Sequence, residues 1–261
     1  YSSPVELVRE LSAQEFAYDA VWPAGSMWLR MSDSPSRVSH LRSVTSSPIV
    51  VGVRKSIAQS LGLSDGEVRV AELLRLVRDD RLSFVMPSGT QSTAGASGFL
   101  GFLHALAGRQ GGPHLDDLRS EALGRDARDL LSGVVRTGGS ADWLGEIFVE
   151  SDYDAMVNYE WVIIAANRRI VDGGGEPMHI VYPVDGTLVA DSPLGYVDAG
   201  DPAKEAVFLA LQEYLLSGDV QAKLGAFGRR TAAGLLAGST NTISSEWGLR
   251  EDPNVDAIPW P

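Results

Sequence analysis

The chain has no cysteine, which excludes disulfides, a zinc–thiolate centre and a cysteine nucleophile. No run of 18 apolar residues occurs, so no segment reads as a membrane-spanning helix. Only three of its 22 basic residues are lysine, and a formal net charge of -12 sets it against duplex nucleic acid, whose affinity comes largely from cations neutralising phosphates. The same excess disfavours anionic membrane surfaces. It does not exclude an anionic ligand, because backbone N–H groups at a helix start bind anions independently of net charge. Four histidines (His40, His104, His114, His179) are scattered without metal-ligand spacing, and no phosphate-loop, dinucleotide, H-E-x-x-H or G-x-S-x-G motif is present. No catalytic residue, metal ligand or cofactor is therefore expected.

What is there is ordinary globular material: 261 residues, 44% hydrophobic and 21% charged. That suits one large domain or two of roughly 100–150 residues each. Tyr1 opens directly into a polar stretch without an initiator Met, so the chain is expected to be a processed piece of a longer, surface-anchored one. Helical spacing at Pro4–Leu11 precedes a strand at Tyr18–Trp22 and a short helix at Met27–Met31. Pro48–Val53 (PIVVGV) is a near-continuous apolar run, the mark of a strand buried on both faces. Helices follow at Ser56–Leu61 and Val68–Arg78, the latter opened by cap chemistry in Ser64-Asp65-Gly66. A strand at Ser83–Met86 leads to a long apolar helix from Thr93 to Ala107, and polar helices run on to Phe148. Further strands are expected at Tyr153–Val157, His179–Tyr182 and Asp185–Ala190, with helices at Glu160–Asn167, Ala203–Ser217 and Val220–Gly228. The tail from Gly238 reads as a linker or surface wrap. Strands alternating with helices imply an α/β fold with mostly parallel sheets.

Three hydroxyl-rich clusters sit at strand termini. The strongest is Pro87–Ala94 (PSGTQSTA), where a strand ends, Gly89 frees the turn for close backbone approach, and Ser88, Thr90, Gln91 and Ser92 surround a helix start. The same residues also fit a plain helix cap that touches no ligand. Pro23–Met27 repeats the pattern around Ser26, and Thr45-Ser46-Ser47-Pro48 precedes a strand. Together they suggest a polar site at the carboxyl edge of sheets. Tyr159, opening the next helix after Tyr153–Val157, has a phenol that suits either a ligand hydrogen bond or surface packing.

The succession Thr45–Val53 (TSSPIVVGV), Pro87–Gly98 (PSGTQSTAGASG), Tyr153–Glu160 (YDAMVNYE) and Val181–Val197 (VYPVDGTLVADSPLGYV) resembles bacterial extracellular solute-binding proteins over roughly residues 15–261. The similarity falls nearest the type II periplasmic-binding fold, in the branch of molybdate and phosphate binders. More narrowly, it resembles the binding domain carried before a von Willebrand factor A domain in actinobacterial surface proteins. The resemblance implies two α/β lobes with two hinge crossovers, lobe 1 comprising 1–81 and 190–261 and lobe 2 comprising 82–189. It implies a small anionic solute held by Ser26, Ser46, Ser47, Ser88, Gly89, Thr90, Gln91, Ser92 and Tyr159, as for uptake through a membrane permease. A protein- or peptide-interaction module fused to a von Willebrand domain is the alternative. A monomer without cofactor is expected, outside the cytoplasm. The family's usual first strand has no counterpart before Glu15.

Overall fold

A computed structural model describes residues 4–13, 17–30, 37–109, 112–198, 200–236 and 245–251. In chain order the elements are α1 (Pro4–Ser12), β1 (Ala20–Val21), α2 (Met27–Arg30), β2 (Val38–Ser43), β3 (Thr45–Arg54), α3 (Lys55–Leu61), α4 (Val70–Arg78), β4 (Phe84–Pro87), α5 (Thr93–Ala107), α6 (Leu115–Leu118) and α7 (Glu121–Leu131). They continue with β5 (Val134–Gly138), α8 (Ala141–Val149), β6 (Ala155–Tyr159), α9 (Glu160–Asp172), β7 (Met178–Val181), β8 (Val189–Ala190), β9 (Pro193–Val197), α10 (Pro202–Leu216), α11 (Gly218–Ala226) and β10 (Arg230–Thr231). A 3-10 turn, Ser245–Trp247, closes the described chain.

The chain forms two compact units, residues 1–47 with 190–239 and residues 48–189 with 240–261. The chain passes from the first unit to the second at 47/48 and returns at 189/190. The first passage lies within β3. Its first residues pair antiparallel with β10 in the first unit, and its apolar remainder pairs with β6 and β7 in the second. One ten-residue strand, buried from Thr45 through Val53, therefore belongs to both units. The described segment 245–251 belongs to the second unit.

In the first unit, β1 and β2 flank β9, all antiparallel. Leu11, Val21, Leu29 and Val197 form one apolar cluster, and Val44, Leu194, Tyr196 and Phe208 form another. His40 sits at φ 51 within an irregularity between Ser39 and Arg42, and buried Gln212 satisfies the strand's displaced carbonyl: its Nε2 donates to His40 O at 2.7 Å and to Leu194 O at 3.2 Å. Buried polar groups must find such partners, since each orphan costs about 1–3 kcal/mol.

In the second unit the apolar half of β3 lies beside β6, then β4, then β5. The β4–β5 and β4–β6 pairs are parallel, but every pair made by β3 with β6, β7 and β10 is antiparallel. The sheets are thus mixed rather than mostly parallel, while the α/β class and the flanking helices stand. Asn167, fully buried in α9, locks β7 in place: its Nδ2 donates to Met178 O and its Oδ1 accepts from Met178 N, both at 2.8 Å. Gly52 leaves room there, since a Cβ would meet Met178 Sδ at 2.8 Å.

Four strands escaped the sequence reading: β2 within a stretch read as polar, β5 within one read as helical, and β9 and β10, which were assigned to no element. The hydroxyls of Thr45–Ser47 lie inside β3 instead of ahead of it. The start of α4 is capped from afar: Val70 N donates to Asp185 Oδ1 at 2.9 Å, and the Ser64-Asp65-Gly66 turn supplies no cap. Among the described residues no helix is long and apolar enough to cross a membrane.

Candidate functional site

Three adjacent parallel strands of the second unit, β5, β4 and β6, each run directly into a helix: α8, α5 and α9. Their carboxyl ends therefore bring three helix starts to one sheet edge. Each helix start presents N–H groups without intrahelical acceptors and roughly half a positive charge. The three starts are not equivalent. At α8, Ser140 Oγ accepts from Trp143 N at 3.2 Å, and Asp142 stands in the first turn. At α9, Glu160 occupies the first turn and is fully buried, accepting from Tyr182 OH at 2.5 Å. At α5 the first turn holds no acidic residue, and the N-cap Ser92 makes no side-chain cap bond.

The turn before α5 is built on β5. Ser88 N donates to Gly138 O at 2.8 Å, and Ser88 O accepts from Ser92 N at 3.0 Å. Ser88 Oγ lies 3.2 Å from Thr90 Oγ1 and accepts from Thr90 N at 3.4 Å. Gly89, Thr90 and Gln91 are exposed, Ser88 is half-buried, and Ser92 is buried. The helix comes so close to the strand end that a Cβ on Gly95 would sit 2.2 Å from Pro87 O. The hydroxyls of Ser88, Thr90 and Ser92 thus gather at the start of α5, while the amides of Ser88, Thr90, Gln91 and Ser92 are engaged within the turn and with β5.

Residues that sequence reasoning missed complete this edge. The Gln91 side chain lies against Gly139, where a Cβ would come 3.2 Å from Oε1. The half-open ring of Trp143 covers Gly138, where a Cβ would meet it at 2.8 Å, and Arg136 Cζ stands 5.6 Å from that ring's centroid. Asn158, buried in β6, donates to Ala141 O at 2.9 Å and accepts from Tyr159 N at 2.8 Å, tying the α8 and α9 starts together. The signal was available: Thr137-Gly-Gly-Ser140 repeats the small-and-hydroxyl turn of Ser88–Ser92. Tyr159 is buried at the α9 start and stacks on Trp161, with centroids 6.4 Å apart.

The remaining predicted residues belong to the first unit. Ser26 is buried ahead of α2, and its N–H already donates to Asp191 Oδ1 at 2.7 Å. Ser46 Oγ donates to Thr231 O at 3.1 Å, and Ser47 is buried beside it in β3. Among the described residues no group of three or more His, Asp or Glu side chains could hold a metal ion.

Residues 1–230 match the family model described as bacterial extracellular solute-binding protein. Comparison with curated proteins finds no match. Among solved structures, an ABC transporter protein from Clostridium perfringens is similar over 99% of this chain and 83% of its own, with 15% identity and TM-score 0.64. The sulfate-binding protein SubI of Mycobacterium tuberculosis matches over 88% of this chain and 74% of its own, at 17% identity and TM-score 0.58. A solute-binding protein of Thermotoga lettingae bound with α-D-tagatose matches over 84% and 67%, at 15% identity and TM-score 0.54. These likenesses show the fold of ABC-type solute-binding proteins. The family match spans most of the chain, and the chain belongs to the bacterial extracellular solute-binding proteins.

Proposed function

We propose that this solute-binding protein takes a small solute bearing an oxyanion or carboxylate, for delivery to a membrane permease, and that the start of α5 is the centre of recognition. The observation that carries this reading is the difference between three neighbouring helix starts. The first turns of α8 and α9 hold acidic side chains of their own, whereas the α5 start has neither a carboxylate nor a side-chain cap. Ser88, Thr90 and Ser92 add hydroxyl donors around it, and exposed Gly89 and Gln91 leave the backbone approachable. Charge-assisted hydrogen bonds contribute roughly 1.5–3 kcal/mol each, so a handful outweighs desolvation of the anion. Tyr159, at the start of α9, stays in the proposed donor set. In the first unit the Ser26 N–H and the Ser46 hydroxyl are already engaged.

Titration calorimetry against molybdate, sulfate, phosphate and small carboxylates, with raffinose and tagatose as neutral comparators, tests the reading. One anion binding near micromolar, about -8 kcal/mol, and weakened about tenfold or more by Ser88→Ala is the expected result. Binding of a neutral sugar alone, or silence toward every anion, rejects it.

A second reading, a cell-surface interaction module beside a von Willebrand factor A domain, is favoured by one observation. Helix α10 leaves Val207, Leu211 and Tyr214, spaced along one face, 71%, 47% and 61% exposed. Such a stripe suits a protein partner. Flanking genes discriminate: permease and ATPase genes support uptake, and a von Willebrand domain in the same reading frame supports this second reading.

A further inference from the structure

The described tail segment is packed, and it reaches the candidate site through two side chains. Trp247 is buried against the second unit, and the 3-10 turn that carries it packs on β7. Gly248, at φ 78, lies directly over His179, since a Cβ there would come within 2.5–2.9 Å of three ring atoms. Arg250 then spreads in two directions. Its Nη2 donates to Gly66 O at 3.0 Å, and its Cζ lies 5.7 Å from the centroid of the Tyr182 ring. Tyr182 is 1% exposed, and its hydroxyl donates at 2.5 Å to Oε1 of Glu160, itself fully buried. Glu160 is the first residue of α9, adjoining Tyr159.

From this chain of contacts we propose that residues 246–251 act as a docked strap that positions the α9 start, with Arg250 acting through Tyr182 and Glu160. The Tyr182 O–H favours the plane of its ring, so the ring's orientation sets where the hydroxyl can donate. Cation–π contact with Arg250 holds that ring's outer face, and the hydrogen bond at its far end holds the Glu160 carboxylate. Glu160 in turn fixes the first turn of α9 and with it the backbone at Tyr159. Whatever pulls on or binds the chain beyond residue 251 therefore shifts the α9 start, and by linkage a ligand engaging that start shifts the strap. Arg250 and Tyr182 are positioning residues for the site and touch no solute themselves.

Hydrogen exchange on the full chain, with no ligand added, tests this separately from the anion reading. The probes are the amides of Ile163 and Ile164, the first in α9 with intrahelical acceptors, the strap amides 246–250, and helix α7 as a reference. Gly248→Ala drives a methyl into the His179 ring, and Arg250→Ala removes the link while leaving the strap backbone. Both are expected to raise exchange at the strap and at Ile163 and Ile164 about fivefold or more, the scale of site-to-site coupling, with α7 unchanged. Tyr182→Phe is expected to raise exchange in α9 alone, Arg250→Ala added to it to produce no further rise there, and Arg250→Lys to restore most of the protection. Faster strap exchange with unchanged α9 rates overturns the proposal. So does a rise in α9 matched by α7, which reports general loosening. If Gly248→Ala fails to fold, the Arg250 and Tyr182 variants decide.

Discussion

Gly95→Ala tests the close approach on which the α5 turn is built. A Cβ at this position would stand 2.2 Å from Pro87 O, 2.4 Å from Ser88 O and 2.5 Å from Ser88 C, all backbone atoms. Ordinary carbon contacts need about 3.5 Å, so α5 or the end of β4 must shift by about 1 Å. Overpacking of this kind costs about 1–3 kcal/mol, and a backbone obstacle places it at the upper end. Alanine recovers about 1 kcal/mol of helix propensity over glycine. The net expectation is a loss of about 2 kcal/mol, or about 4–8 °C in Tm for a chain of this size class. Gly124→Ala is the matched control. It also lies within a helix, but its Cβ would meet only the flexible end of Arg128, at 3.4 Å. It should raise stability by about 0.5–1 kcal/mol. Thermal melts followed by circular dichroism compare the two. If Gly95→Ala stabilises as Gly124→Ala does, the helix start has no intimate contact with the strand end and the reasoning fails.

Other substitutions probe neighbouring parts of the same frame. Asn167→Ala strips both partners from the buried Met178 peptide groups; at about 1–3 kcal/mol for each orphaned group, a loss of about 3 kcal/mol in denaturant titration is expected. Asp185→Ala removes the carboxylate that receives Val70 N and should cost about 1 kcal/mol, read in the same titration. His179 is held below its usual 6.5 by desolvation first, then by Arg250 and Lys55, with Asp65 opposing. Because the folded value is depressed, stability from the neutral ring is complete above 6.5 and declines as pH falls through 6.5 toward the lower folded value. Melts across that range should show the decline, and His179→Gln should flatten it. Ser92→Ala should leave stability within about 0.5 kcal/mol, since Ser92 caps nothing, while Ser140→Ala, whose hydroxyl does cap α8, should cost about 1 kcal/mol.

The parts of this fold that were legible in the sequence are those whose burial is one-sided or complete. Helix α5 was read at its observed bounds, Thr93–Ala107, because a long apolar run flanked by a hydroxyl turn and Gly108 leaves few alternatives. The apolar half of β3 announced itself through PIVVGV, while its first three residues did not, because buried hydroxyls carry no hydrophobic signal. Strands β2 and β5 lie at sheet edges with most residues partly or fully exposed, so neither alternation nor an apolar run marks VSHLRS or VVRTG. Missing β5 had a consequence for the site: without that strand, Gly138–Ser140 could not be placed beside Ser88–Ser92, and Trp143 and Gln91 lost their shared neighbour. The cap from Asp185 to α4 spans 115 positions and leaves no local trace. Chemistry of turns was readable because it is local; which turns stand side by side was not, because that is decided by strand order.

Strand order also decides which helix start is open. A cap bond contributes about 1 kcal/mol and a carboxylate in the first turn about 0.3–1 kcal/mol, both by quenching the positive end of the helix. Helix α8 has both devices and α9 has a buried carboxylate, so at those ends an added anion meets donors already engaged or a like charge nearby. At α5 the corresponding stabilisation has been left out, although Ser92 stands in the N-cap position with backbone dihedrals of -129° and 134° suited to the task. A helix of 15 residues packed by Ala94 through Gly98 can forgo about 1–2 kcal/mol at its end without fraying. The same donors, offered to an anion that brings its own charge, yield roughly 1.5–3 kcal/mol per bond, more than the internal cap would have contributed. An end left uncapped between two that are capped or charged is therefore the place on this edge where a ligand gains most.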